Sequence, residues 1–350
     1  MTQLAGAYPG MAALRDLAQA KGGSGHASCV RPPVTALPAI ALPLAALFSY
    51  ALVISVYALR PLIEWDDLFR YVQRFSIDPY YGMDVPQRLI DYPLSEYGWQ
   101  LIVLAIFESG LSFEASFAAI SMLALAIMAY VLLRATGRPL TLLLFVNPAM
   151  IDFAISQVRS ALALAIVFIT FTRSLPLALA GIALASTIHT SMLLFAMPLL
   201  INFARERFAP ALQEGSPRSG QGWAVCAFLV AAALATSQIL ILDFLGDRRA
   251  GYSLSDLSTG TLLTSAWAVI GLAGFMLSQG RAGLPVIAAM FLLGMFITSS
   301  SLGLYSHRYA AFLVPFLGLA LGTPALPQGR LFIFMGLYGA FSLLYFTFWI

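Results

Sequence analysis

Arg159, in the stretch DFAISQVRSALALAIVFI from Asp152 to Ile169, puts a permanent positive charge at the head of an otherwise apolar run. A charged side chain within a bilayer costs about 2.5–3.5 kcal/mol even on the lenient insertion scale. Either the arginine snorkels to the headgroups or it holds something. A guanidinium meets phosphate oxygens with a planar fork and keeps its proton throughout the physiological range. His189, in ALASTIHTSMLLF, adds a ring that can hydrogen-bond a phosphate or shuttle a proton, although a lone histidine also serves as a hydrogen-bonding group between helices. Arg308, in YSHRYAAFLVPF beside His307 and Tyr309, brings a third cation to the start of another apolar run. Tyr305 and Tyr309 also suit an aromatic belt. Cations recurring on three unrelated segments suggest an anion pocket.

Carboxylates supply the complementary chemistry. In RPLIEWDDLFRYVQRFSIDPYYG, residues Asp67, Tyr71 and Phe75 recur at i, i+4 and i+8, which is one face of a helix. Tyr71 and Phe75 can lie on lipid while Asp67 and Arg70 face a polar basin. The plainer alternative is an interfacial amphipathic helix with an i,i+3 ion pair between Asp67 and Arg70. A carboxylate among Asp66, Asp67 and Glu96 can take a proton from a hydroxyl as general base. Tyr97 and Trp99, in DYPLSEYGWQLIVLAIF, suit either sugar stacking or headgroup anchoring.

The elements that must position these residues are membrane helices. The 350 residues are 60% apolar and 10% charged, with a mean hydropathy of +0.85; a soluble domain carries about 25% charge. Cys29 and Cys226 match no disulfide or metal framework, and His26, His189 and His307 leave little for a metal cage, so neither metal nor cofactor is expected. The chain carries no Walker loop, GxSxG elbow, HExxH or dinucleotide glycine pattern, which disfavours nucleotide-driven transport and soluble-type hydrolysis. The first apolar run, 36–59, is too long for a signal-peptide core, and the polar leader 1–35 reads as a loose cytoplasmic tail. Residues 36–350 form a single transmembrane domain, with no internal repeat.

Apolar runs at 36–59, 115–133, 139–153, 157–172, 174–188, 191–203, 222–242, 260–279, 284–302, 308–323 and 331–350 predict an all-α, polytopic integral membrane protein with about eleven crossings. The run 98–107 is too short to span. If it does not cross, Arg134, Arg138, Arg173, Arg205, Arg207, Arg218, Arg281 and Arg330 all fall inside, as the positive-inside rule demands. Residues 60–114 then form one long external loop with 98–107 at the membrane surface. Of the 16 acidic residues only Asp16, Glu206 and Glu214 fall inside, and seven lie between Glu64 and Glu96. Polar machinery on the outer face follows.

Two hairpins are too short. The 34 residues 139–172 make about 51 Å of helix at ~1.5 Å per residue, whereas two crossings of a ~30 Å core need about 60 Å. Residues 174–203 are shorter still. Their outer tips, near Asp152–Arg159 and near His189, are expected to sit below the outer surface, forming a recessed basin in which Asp152 is a possible partner for Arg159.

At these residues the chain resembles the EpsG-like family of bacterial polysaccharide polymerases, relatives in role of the Wzy O-antigen and capsule polymerases. The resemblance runs through Asp67, Tyr71 and Phe75, then SEYGWQLI (to Ile102), QVRSALALAI (Gln157–Ile166) and ASTIHTSML (Ala185–Leu193), and more loosely HRYAAF, over roughly 60–205. The family's Arg-Gln pair is Arg159-Ser160 here, and its Glu-Pro-Gly is Glu96-Tyr97-Gly98. The resemblance implies a GT-C-like helical glycosyltransferase whose first external loop carries membrane-parallel helices. It implies polyprenyl-diphosphate-linked oligosaccharide substrates joined on the periplasmic face of the bacterial inner membrane, with a chain-length regulator and a flippase as pathway partners and no nucleic acid. In those terms Asp67, then Glu96, would be the catalytic base, while Arg70, Arg159, His189 and Arg308 would bind substrate and stabilise the departing diphosphate. The same cations would also suit a flippase for lipid-linked sugar. A membrane glycan acyltransferase with His189 as base is the other alternative.

Overall fold

The computed structural model describes residues 38–60, 65–80, 85–208, 218–244, 260–278, 283–304, 306–322 and 326–349. The tail expected over 1–35 lies outside them, as does Tyr305. All described elements are helical: α1 (Pro38–Leu59), α2 (Asp66–Ile77), α3 (Asp91–Leu94), α4 (Tyr97–Glu108), α5 (Phe113–Thr136), α6 (Pro148–Ser156), α7 (Val158–Phe171), α8 (Leu175–Ile188), α9 (Ala196–Phe208), α10 (Arg218–Phe244), α11 (Thr261–Leu277), α12 (Leu284–Ser301), α13 (His307–Leu321) and α14 (Gln328–Trp349). Two 3-10 turns, Pro139–Phe145 and Thr190–Phe195, precede α6 and α9. Over their described residues the apolar runs singled out above are helical, apart from a break in 139–153.

By length and composition α1, α5, α12 and α14 can each cross a membrane, giving four spans among the described residues, or five if the bent pair Pro139–Phe145 and Pro148–Ser156 counts as one. Shorter apolar helices, α7 and α8 among them, make up much of the remainder. At 14 residues each, α7 and α8 reach only about 21 Å at ~1.5 Å per residue.

The run 139–153, expected as one helix, is instead broken at Val146–Asn147 with a bend of 71°. Pro148 has no N–H to continue the ladder. Asn147, fully buried, restarts the helix by accepting from the Ala149 N–H at 3.0 Å and ties the elbow to α14 through Ser342 Oγ at 2.8 Å. Tyr338 of α14 adds a hydrogen bond to the Leu144 carbonyl at 2.7 Å. A second break follows at Gln157, so Arg159 begins α7 on a new axis.

Aromatic packing joins the helices that matter here. Phe316 of α13 meets Phe168 and Phe171 of α7 at 5.2 Å and Phe195 of the second 3-10 turn at 5.3 Å, while Phe312 meets Phe153 of α6 at 5.3 Å. Edge-to-face and stacked pairs of this kind add about 0.5–1.5 kcal/mol each beyond burial. Arg159, His189 and Arg308 sit just beyond this aromatic layer, each at the end of one of the segments it locks. Gly294 of α12 lets that helix approach α10 so closely that an added Cβ would lie 2.6 Å from the Phe228 carbonyl oxygen.

Helix polarity sorts the charges. Arg308 opens α13 at one end, and Gly322 closes it beside Thr136 at the other. Arg138 is at that second end, donating to the Leu326 carbonyl at 2.8 Å. Arg173 likewise follows the end of α7 opposite Arg159. Arg138 and Arg173 thus lie at the end away from Arg159, His189 and Arg308.

Candidate active site

Glu96, at the start of α4, is the centre of the arrangement. Its backbone is left-handed, with φ 53°, and among the described residues it is the non-glycine residue with positive φ. That conformation costs about 1–2 kcal/mol in an L-residue, and strain of this kind concentrates at functional sites. The carboxylate forms an ion pair with Arg159 through Oε2. Its Oε1 meets His189 Nδ1 at 2.5 Å and accepts from the Thr190 backbone N–H at 3.2 Å. The ring's other nitrogen, Nε2, accepts from Arg308 Nη1 at 3.2 Å. Four separated segments therefore meet in one chain, Arg159–Glu96–His189–Arg308.

The chain fixes the histidine. An arginine can only donate, so Nε2 must carry the lone pair and Nδ1 the proton, which it gives to Glu96. His189 is neutral. Burial is the main cause: it pulls the ring down to about 4 from its ordinary 6.5, with the arginines adding to the effect against the pull of Glu96. Burial also opposes charge on Glu96, but the His189 hydrogen bond and the Arg159 charge overcome it and hold the carboxyl well below its ordinary range. Both folded-state values lie below their unfolded ones, so the stability these groups contribute is complete above about pH 6.5. It is lost on acidification: wild-type protein should lose thermal stability between 6.5 and about 4. His189→Gln should flatten that part of a melting-temperature profile in detergent. An unchanged profile would overturn the neutral-ring assignment.

Other elements hold the cluster in place. Thr190 Oγ1 donates to the Pro93 carbonyl at 2.7 Å, pinning α3 against the His189 turn. Gly98 lets α4 touch α8: a Cβ there would lie 2.4 Å from Thr187 Oγ1 and 3.1 Å from the Thr187 carbonyl oxygen. Thr187 is too short to swing away, so Gly98→Ala must separate the helices and move Glu96. We expect a loss of about 1–3 kcal/mol, typical of overpacking, together with loss of activity. Wild-type melting temperature and wild-type activity together would contradict this packing account.

On the other side, the Tyr71 ring lies 5.7 Å from the Arg159 guanidinium carbon and 6.5 Å from the Trp99 ring. Tyr71 and Phe75, expected on lipid, pack inward: Phe75 is buried and meets Phe113 at 6.1 Å. Trp99 is buried against Phe117 at 5.6 Å, a core position rather than a sugar face or headgroup anchor. Tyr309, expected in an aromatic belt, is buried against Phe312.

Asp67 lies one helical turn before Tyr71 on the same face of α2 and is half-buried. Among the described residues it makes no ion pair, so the Asp67–Arg70 pair suggested by spacing does not form. Arg70 is exposed, lining a surface groove with Gln73, Arg74, Ile77 and Asp78, away from the Glu96 cluster. Asp152, the sequence neighbour considered for Arg159, is instead close to Tyr345 of α14. The break at Gln157 puts Asp152 on α6 and Arg159 on α7. Sequence reasoning missed Thr190 as a ligand of Glu96. Its only signal is its place after His189 in IHT. Among the described residues no group of three His, Cys, Asp or Glu side chains is placed to hold a metal.

The helices define a multi-pass helical membrane protein with a buried polar centre at one end. The EpsG family model matches residues 44–213, so that segment is similar to the EpsG family. It includes Asp67, Glu96, Arg159 and His189; Arg308 lies beyond it. No curated protein and no solved structure matches the chain.

Proposed function

We propose that this protein is a polysaccharide polymerase that joins polyprenyl-diphosphate-linked oligosaccharides on the periplasmic face of the bacterial inner membrane. In this reading it is a GT-C-like glycosyltransferase with about eleven crossings, a cytoplasmic N-terminus, and the 60–114 loop external. The observation that carries it is the Arg159–Glu96–His189–Arg308 chain, assembled from four segments at the end of the bundle opposite Arg138 and Arg173. By the positive-inside rule that end faces away from the cytosol.

The reaction needs two things from the chain. The acceptor hydroxyl must lose its proton as its oxygen attacks the anomeric carbon, and the bond to the lipid diphosphate must break with the electron pair leaving on the diphosphate oxygen. Asp67 is our base, because among the described residues its carboxylate makes no ion pair and it lies on the Tyr71 face that reaches Arg159. Arg159 and Arg308 offset the charge developing on the diphosphate, the kind of preorganised stabilisation that contributes most to catalysis. No cofactor is called for, since the donor arrives activated.

The acyltransferase reading loses ground, because His189 has no free lone pair with which to act as base. Purified protein incubated with a polyprenyl-diphosphate oligosaccharide tests the proposal: a ladder of longer lipid-linked products is expected. Unchanged substrate in solution, with movement of the lipid across the bilayer of proteoliposomes, would establish a flippase instead.

A further inference from the structure

The carboxylate of Glu96 is surrounded entirely by donors. Arg159 Nη1 grips Oε2; His189 Nδ1 at 2.5 Å and the Thr190 N–H at 3.2 Å grip Oε1. The Thr190 hydroxyl lies at 3.4 Å from the same oxygen, but its proton is committed to the Pro93 carbonyl at 2.7 Å. A guanidinium, an imidazole N–H and a backbone N–H are the donors from which phosphate sites are built. The fork of Arg159 is only half used: Nε is buried without a hydrogen-bond partner. The residue supplying the anion has the left-handed backbone noted above, so its hold on the cradle is bought with local strain.

We propose that Glu96 is an internal stand-in for a phosphate group, seated in the cradle until the diphosphate of a donor displaces it. This rests on the reading of the chain as a diphosphate-using polymerase and assigns the seat of that diphosphate, with Thr190 as a ligand. The carboxylate keeps the buried arginine compensated and the donors aligned while the site is empty. An incoming diphosphate carries more charge and can engage both arms of the Arg159 fork, which a single carboxylate oxygen does not. The exchange makes no covalent change; it swaps one set of hydrogen bonds for another.

Inorganic diphosphate is the probe, titrated against purified wild-type protein and Glu96→Gln. Removing the competing charge should tighten binding by about tenfold or more, a change of about 1.4 kcal/mol. Equal or weaker binding by the variant would make Glu96 a keystone of the site and overturn the proposal. A second measurement uses the wild-type chain alone. Carbodiimide labelling of Glu96, followed by peptide mass spectrometry, should rise severalfold when diphosphate is added, because the displaced carboxylate becomes reachable. Labelling that stays level or falls would overturn it. Diphosphate binding that needs Arg159 but leaves Glu96 seated would sink this inference while sparing the polymerase reading. Absence of diphosphate binding to both proteins would remove both.

Discussion

Arg159→Ala should abolish polymer formation while the protein still accumulates in the membrane. The guanidinium touches the centre of the cluster from α7, and its Tyr71 contact brings it to the face that carries Asp67. Removing one preorganised group that stabilises a departing oxyanion costs about 10²–10³-fold in turnover. A permanent charge facing a diphosphate should sit at the upper end of that range. Folding is a separate matter. Breaking a buried ion pair by deleting one partner costs about 3–5 kcal/mol when the other charge is left alone. Here Glu96 keeps His189 Nδ1 and the Thr190 N–H, which soften the loss. Arg159→Lys separates the effects: it preserves a charge beside Glu96 but not the fork, so membrane levels should return while polymer yield stays low. Normal polymer length and yield in Arg159→Ala would refute the role of this residue.

Asp67→Asn should stop turnover without weakening binding of the lipid-linked donor. General-base catalysis contributes about 10²–10⁴-fold, and the amide is close to isosteric with the acid it replaces. Because Asp67 makes no ion pair among the described residues, the substitution leaves the Glu96 network intact. A binding isotherm matching wild type beside an empty product ladder is the expected pair of results. Unchanged turnover would shift the base elsewhere, first to Glu96. That residue could take a proton only after losing its grip on Arg159 and His189, so its protonation would become tied to donor binding.

Much of this was legible in the chain. Composition alone requires lipid-facing helices, because 60% apolar residues and 10% charged ones cannot cover a water-facing surface. The positions of the helices follow from apolar runs between arginine-bearing breaks. The shortness of 139–172 and 174–203 marked the neighbourhoods of Arg159 and His189 as polar tips. Length is a one-dimensional quantity, so it survives without coordinates. The four motifs of the EpsG resemblance lie in the segment that matches the family model.

What the tertiary structure decided is who meets whom. Asp152 is only seven positions from Arg159, yet its side chain belongs to another helix axis, while Glu96, 63 residues away, forms the ion pair. The Asn147–Pro148 pair marks a break, but residue order does not show that the chain bends there by 71°, or that Gly98 lets α4 close on α8. Nor could spacing show that both nitrogens of His189 are occupied. Hydropathy and charge sorting depend on each segment's own composition and are written in the chain. An ion pair between distant segments depends on the packing angles of the helices that carry them, and those angles are set by contacts such as the aromatic layer around Phe312 and Phe316.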